Sequence, residues 1–157
     1  MKRGERMRHP AWISSMILAL ALTAAPALAQ QQTAENAQTF LKLKLENRVG
    51  SFTILDDNLY YTGHDAQITS VVGSECSTTF YGDNGGKQLS RTIDWSKAQS
   101  IYSVDGYIKI EGAVYLTNGQ RIDVTNIGGL GYEDSLRTMN AMTFLKKHCD
   151  PGGNLGF

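Results

Sequence analysis

The fold of this chain is decided by the segment IYSVDGYIKI, residues 101–110. Two runs rich in β-branched and aromatic residues flank Asp105-Gly106, and this dipeptide suits a type I′ turn, whose central residues need positive φ. After the turn, Ile108 and Ile110 fall on one face and Lys109 on the other, which is the two-residue period of a strand. The segment therefore predicts an antiparallel β-hairpin.

Hairpin signals continue on both sides of this segment. Asn118-Gly119 predicts a second two-residue turn, and Asp83–Gly86 predicts a looser hairpin or loop. Short β-rich runs occupy the chain from about residue 50 to about residue 127. They predict an antiparallel sheet of about seven or eight short strands, folded as an open roll or a partly closed barrel.

The first predicted strands are Phe52–Leu55 and Leu59–Thr62, with Gln67–Val72 continuing the sheet. Further along, residues 91–95 alternate in polarity and residues 101–104 form a separate run.

Two positions within the sheet have specific predictions. The alternation of residues 91–95 places Ile93 and Trp95 on one face, which predicts a core position for Trp95. Gly112 interrupts the strand 107–116 and predicts a bulge or bend.

Helical patterns precede and follow the sheet. Residues 33–46 place their apolar side chains on one face, with Thr33 as the predicted N-cap. Residues 133–148 have acids in the first turn and bases in the last, as the helix dipole favours. The order of helix, strands and helix predicts an α+β domain with an N-terminal amphipathic helix and a closing C-terminal helix.

The two cysteines, Cys76 and Cys149, are predicted to form a disulfide that ties the C-terminal helix to the sheet. Met142, Leu145 and Cys149 are spaced by three and four residues, so they share one helix face that points into the domain. The alternatives are two free thiols, or a catalytic or metal-binding role. Because no Cys-x-x-Cys motif is present, these alternatives have less support.

Residues 1–29 predict a removable secretory signal peptide. The first ten residues carry four bases and one acid, an apolar run follows, and Ala27-Leu28-Ala29 fits an A-x-A cleavage site. An uncleaved anchor is the alternative, but the apolar run is too short to span roughly 30 Å of hydrocarbon comfortably. We therefore expect a periplasmic or secreted protein with no stable membrane span after cleavage.

The predicted organisation is a signal peptide at 1–29, a single α+β domain at 30–150 and a flexible C-terminal tail at 151–157.

The charge of the chain changes when the signal is removed. The whole chain has 15 basic and 15 acidic residues; without the four bases and one acid of the signal, 11 and 14 remain, a formal charge of 11 − 14 = −3. The remaining bases are scattered among acids instead of forming a patch. Nucleic acid is therefore not an expected partner.

No stretch of the sequence has the spacing of a specific catalytic or cofactor motif. His64 and Asp65 are the candidates for a catalytic pair, although neighbours in sequence seldom supply the geometry in which a carboxylate orients a histidine. The acidic turn 56–58 lacks the spacing of a calcium loop, and residues 128–131 lack the glycine spacing of a phosphate-binding loop. Two histidines in the mature chain do not make a zinc site, so we expect no metal and no cofactor.

The functional expectation comes from the tyrosines, whose rings combine an apolar body with a polar tip. We expect a non-enzymatic exported domain that binds a small molecule, a peptide or an envelope protein through its sheet. Six tyrosines are the candidate ligand-binding residues: Tyr60, Tyr61, Tyr81, Tyr102, Tyr107 and Tyr115. One alternative is an inhibitor of an envelope hydrolase acting through Asp83–Lys87, and another is a small hydrolase using His64.

Overall fold

The structure is a computed structural model, and it describes residues 32–47, 49–55, 58–150 and 152. The predicted signal peptide, residues 56 and 57 of the acidic turn and all of the predicted tail except Gly152 lie outside these residues. The elements in chain order are α1 (Ala34–Leu45), β1 (Ser51–Leu55), β2 (Tyr61–Gly73), β3 (Ser77–Asn84), β4 (Lys87–Val104), β5 (Tyr107–Leu116), β6 (Arg121–Gly128) and α2 (Tyr132–Cys149).

The strands form a closed antiparallel barrel in which each strand pairs with the next and β1 pairs with β6. Closure gives every strand two neighbours and so removes free sheet edges. The closing contact is short, because β1 pairs with β6 through Ser51↔Gly128 and Phe52↔Ile127. Beyond Phe52 the described part of β1 no longer pairs with β6, and this gap positions the site described below.

The prediction of seven or eight strands is wrong, because the barrel has six. The second half of the predicted strand Leu59–Thr62 and all of the predicted strand Gln67–Val72 belong to the single strand β2, which begins at Tyr61 and passes through Gly63 with a φ of 82°. Glycine adopts this conformation without steric cost, so the chain bends there without ending the strand.

The strand β4 also combines two predicted strands, 91–95 and 101–104, into one. The register between β4 and β5 shifts on both sides of Ala98, which marks a bulge. Gly112 faces this bulge with a φ of 130°, and a Cβ there would lie 2.7 Å from Ala98 Cα. The predicted irregularity at Gly112 is confirmed, and it lets one long strand turn around the barrel.

The turn predictions have different outcomes. Asp105 and Gly106 have φ angles of 50° and 81°, which confirms the two-residue turn. The prediction of a two-residue turn at Asn118-Gly119 is wrong. Residues 117–120 separate β5 from β6, and of these four only Gly119 has a positive φ. Asn118 Oδ1 accepts a hydrogen bond from Gln120 N at 2.9 Å, an Asx turn that favours the longer loop.

The two helices lie against the end of the barrel where β1 begins and β6 ends. Thr33 Oγ1 accepts from Asn36 N at 3.1 Å, which confirms the predicted N-cap. The inner face of each helix carries apolar residues that are fully buried, and each fully buried leucine stabilises the fold by about 1.5–3 kcal/mol. The largest of these residues are Leu41, Leu45, Met142 and Leu145.

The core position of Trp95 is confirmed, because its side chain is 0% exposed. Its indole Nε1 donates to Thr78 Oγ1 at 2.8 Å, and Thr78 Oγ1 donates to Gln38 Oε1 at 2.7 Å. A chain of hydrogen bonds therefore links α1 to the interior of the barrel.

The disulfide between Cys76 and Cys149 is confirmed, with Cα atoms 5.5 Å apart. It joins the connection between β2 and β3 to the last residue of α2. We call this end of the barrel, with α1, α2 and the disulfide, the helix-covered end. The opposite end, with the β1–β2, β3–β4 and β5–β6 turns, is the helix-free end.

In the described part of the chain, neither α1 nor α2 combines the length and the apolar character that a bilayer-crossing helix needs.

Candidate functional site

Three hydroxyl groups converge on the carboxylate of Asp65. Ser51 Oγ and the Tyr107 hydroxyl donate to Asp65 Oδ2 at 3.4 and 3.2 Å, and the Tyr61 hydroxyl donates to Oδ1 at 3.3 Å. The next residue, Ala66, is fully buried, so alternation along β2 places Asp65 on the outer face of the barrel. The donors come from β1, β2 and β5, which the barrel brings together.

A groove of about 290 Å³ lies beside this cluster, along the part of β1 that leaves β6. We call it the tyrosine groove. Its lining residues are Thr53, Leu55, Leu59, Tyr61, Tyr107, Val124, Thr125 and Asn126.

Two buried oxygen atoms of the groove residues, Thr125 Oγ1 and Asn126 Oδ1, have no hydrogen-bond partner among the described residues. Thr125 is only 2% exposed. An unsatisfied buried polar group costs about 1–3 kcal/mol. These oxygens belong to residues that line the groove, and the Asp65 carboxylate lies beside it, so hydrogen-bond acceptors are concentrated in this region.

The charge of Asp65 also acts on the two tyrosines. It opposes ionisation of the Tyr107 phenol and so raises the pKa of Tyr107 above its ordinary value of 10.0. Partial removal from water and the same carboxylate raise the pKa of Tyr61. Both hydroxyls therefore stay protonated at neutral pH and available as donors.

A second carboxylate on the outer face, Glu111, is fully engaged. It accepts from Ser100 Oγ at 2.6 Å and from the Tyr102 hydroxyl at 2.7 Å, and Lys109 Nζ lies 3.2 Å away. These hydrogen bonds lower the pKa of Glu111 to about 2. Lys109 also lies 5.4 Å from the centre of the Tyr102 ring. Tyr102 is therefore committed to a closed polar cluster and not to the groove.

The other three candidate tyrosines are not part of this site. Tyr60 and Tyr81 are 73% and 42% exposed, and Tyr115 is half-buried. Tyr81 lies opposite Ser70 and Ser90 in the sheet, away from β1 and β6. Of the six tyrosines singled out in the sequence, the structure brings Tyr61 and Tyr107 together.

No hydrogen bond or ion pair joins His64 to Asp65. The His64 side chain is exposed and makes no hydrogen bond within the described residues, whereas Asp65 is held by three hydroxyls. Successive residues of a strand project to opposite sides, which separates the two side chains.

The segment Asp83–Lys87, the candidate inhibitory loop, is a tight hairpin turn. Asn84 pairs with Lys87, and Gly85 and Gly86 between them have φ angles of 62° and 91°. Asp83 Oδ1 accepts from Gly86 N at 3.1 Å, which rigidifies the turn.

Within the described ranges, no group of three or more His, Cys, Asp or Glu side chains is arranged to hold a metal ion.

A second groove, of about 510 Å³, lies between α1 and β2. Its buried amide, Gln38, already donates to the carbonyl oxygens of Ser74 and Ser77 at 2.7 and 3.2 Å. Because this amide is satisfied within the protein, the larger groove lacks the free buried polar atoms that distinguish the tyrosine groove.

One buried residue, Arg91, has no role predicted from the sequence. It is 3% exposed. The alternation that places Ile93 and Trp95 in the core puts Arg91 on the same face, so its burial follows the strand pattern. That alternation was the signal that could have identified it.

No family model matches this sequence, and the searches of curated proteins and of solved structures likewise return no match.

Proposed function

We propose that this protein is an exported, non-enzymatic binding domain that holds a small hydrogen-bond-donating ligand in the tyrosine groove. The observation that carries the proposal is the Asp65 carboxylate, held by three hydroxyls beside the unpartnered oxygens of Thr125 and Asn126.

The groove chemistry favours a ligand with hydroxyl or ammonium groups. Carboxylate and amide oxygens accept hydrogen bonds, and the negative charge of Asp65 favours a cation. Tyr61 and Tyr107 add flat apolar ring surface next to these acceptors. A volume of about 290 Å³ suits a small molecule, or one unit of a longer ligand.

Export is part of the same proposal. Support comes from the signal predicted at residues 1–29 and from the disulfide between Cys76 and Cys149, since disulfides persist mainly in oxidising compartments. Cell fractionation and intact mass test it: we expect a periplasmic or secreted protein cleaved after Ala29. Recovery of full-length protein in the cytoplasm would contradict this part of the proposal.

The proposal gives His64 no catalytic role. The hydrolase and the inhibitor stay alternative predictions, and no contact of the described residues favours either of them.

The binding proposal is tested by a ¹H–¹⁵N NMR titration with ethanolamine, which carries an ammonium and a hydroxyl group. Glycolate, which replaces the ammonium with a carboxylate, is the matched probe at equal ionic strength. We expect saturable shifts of the Val124 and Asn126 amides with ethanolamine and none with glycolate. Asp65→Asn should weaken the effect at least tenfold, which corresponds to about 1.4 kcal/mol.

Tyr81→Phe and Tyr107→Phe are matched variants, because each removes one tyrosine hydroxyl from the barrel. We expect Tyr107→Phe to weaken ethanolamine binding and Tyr81→Phe to leave it unchanged. Equal shifts with both probes, or full binding by Asp65→Asn, would refute the proposed site. Native mass spectrometry of protein purified from the compartment to which it is exported would then identify the physiological ligand as a mass adduct.

A further inference from the structure

The interior of the barrel holds a charged side chain near the helix-free end. Arg91 donates from Nη1 to Ser90 O and from Nη2 to Thr53 O, both at 3.0 Å. Its guanidinium carbon lies 4.9 Å from the centre of the Phe52 ring, a cation–π contact. Thr53 immediately follows the last residue of β1 that pairs with β6, so Arg91 supplies a donor where that pairing ends.

No carboxylate of the described residues neutralises the charge of Arg91. None of the ion pairs between described residues includes Arg91, and its Nε has no hydrogen-bond partner there. Burial lowers the pKa of Arg91 to about 10, so the guanidinium is still protonated at neutral pH. A buried cation without an anion is unfavourable, because carbonyl groups replace only part of its hydration.

Arg91 opens onto a cup of about 290 Å³ at the helix-free end. Arg91 is the most buried of the lining residues and therefore forms the floor of the cup, which we call the Arg91 cup. Its wall includes the apolar side chains of Ile54, Leu89 and Leu116, and Lys87 lies on the exposed rim. The described lining contains no acidic side chain.

We propose that the Arg91 cup binds a small carboxylate that carries an aliphatic chain. The carboxylate lies against the guanidinium on the floor, and the chain lies along the apolar wall. A guanidinium presents several donors in one plane and matches the two oxygens of a carboxylate. This site is separate from the tyrosine groove, which attracts the opposite charge, and its test is independent of the proposed function.

The experiment is an NMR titration of the whole exported protein with sodium hexanoate at neutral pH. The readouts are the Arg91 Nε–H signal, assigned by its loss in Arg91→Lys, and the methyl signals of Leu89 and Leu116. We expect saturable shifts of all three with hexanoate. Hexanol and hexylamine, which keep the chain but not the anion, should produce at most one-tenth of that affinity.

Variants separate a binding role of Arg91 from a structural one. Arg91→Met should abolish hexanoate binding, and Arg91→Lys, which keeps the cation but loses the planar donor group, should weaken it about tenfold. Arg137→Met, which removes an exposed arginine from α2, is the matched control and should bind as the wild type does. If Arg91→Met does not fold, the Arg91→Lys result decides.

Four results would overturn the proposal. The first is binding of hexanoate to Arg91→Lys as tight as to the wild type, and the second is binding of hexanol as tight as that of hexanoate. The third is a shift of the Arg91 signal by inorganic phosphate as strong as that by hexanoate, which would indicate a general anion site. The fourth is a shift of this signal in Asp56→Asn with Asp57→Asn without any probe, which would indicate that the chain's own acidic turn pairs with the arginine.

Discussion

The two ends of the barrel differ in how their buried polar groups are paired. At the helix-covered end, Trp95, Thr78 and Gln38 pair with one another and the apolar faces of α1 and α2 surround them. Toward the helix-free end, Arg91 is buried with no counter-ion among the described residues, and the tyrosine groove, on the side of the barrel along β1, holds unpartnered oxygens. The difference teaches that paired polar groups and apolar packing coincide at the helix-covered end, whereas unpartnered polar atoms are concentrated at Arg91 and along the tyrosine groove.

The distribution of unpartnered atoms supports this contrast. Four buried side-chain atoms lack a hydrogen-bond partner within the described part of the chain. Three of them belong to residues of the groove or the cup, namely Arg91, Thr125 and Asn126. The fourth, Thr138 Oγ1, belongs to α2 and is the exception at the helix-covered end.

The largest expected effect is at the helix-covered end. Replacing both cysteines, Cys76→Ser with Cys149→Ser, removes a cross-link between positions 73 residues apart. For such a loop, chain entropy predicts a loss of about 4 kcal/mol in the free energy of unfolding. Urea denaturation measures it, with the reduced wild type as control. A loss below about 1 kcal/mol would show that the disulfide does not stabilise this end.

Leucine truncation compares the two ends directly. Leu145→Ala removes a fully buried side chain from α2 and should cost about 2–5 kcal/mol. Leu116→Ala, in the partly exposed wall of the Arg91 cup, should cost less than about 2 kcal/mol because less apolar area is lost. Equal losses of the free energy of unfolding in urea would contradict the proposed difference between the two ends.

Much of this architecture follows from local sequence patterns. The helix faces, the N-cap Thr33 and the core position of Trp95 depend on short-range spacing, which the sequence displays. The number of strands does not follow from local patterns. The chain bends at Gly63 and at the bulge beside Ala98, and in the sequence both positions resemble the ends of strands.

The candidate site was only partly predictable. The sequence predicts Asp65, Tyr61 and Tyr107 as candidate site residues, but their convergence depends on register between strands that are far apart in sequence. Tyr107 is 42 residues from Asp65, and no local pattern encodes that contact. Arg91 differs, since it lies two residues before Ile93 on the same face of β4, and this local spacing predicts its burial.

Glu111 offers a smaller effect, on the pH dependence of stability. Its pKa is lowered from 4.5 to about 2 in the folded protein, chiefly by hydrogen bonds from Ser100, Tyr102 and Lys109. Its contribution is therefore present above pH 4.5 and is lost as the pH falls from 4.5 toward 2. Glu111→Gln should lose less thermal stability than the wild type between pH 6 and pH 3, and Ser100→Ala should be intermediate. Identical pH profiles would exclude this role.

The smallest expected effect is spectroscopic. Asp65→Asn removes the negative charge that raises the pKa of Tyr107, so that pKa should fall toward its ordinary value of 10.0. Ultraviolet titration of the phenols measures the change, with Tyr107→Phe identifying the transition. An unchanged titration would mean that Asp65 and Tyr107 are not in contact in solution.

The contrast between the ends is tested most directly by the free energy of unfolding of Arg91→Met, measured in urea beside Leu145→Ala. If Arg91 is retained for a ligand, an apolar side chain of similar length should give the fold about the same free energy of unfolding. We expect a change within about 1 kcal/mol of the wild type, because the lost hydrogen bonds are offset by relief of an unpaired buried charge. A loss as large as that of Leu145→Ala would contradict the account, since Arg91 would then be a structural residue.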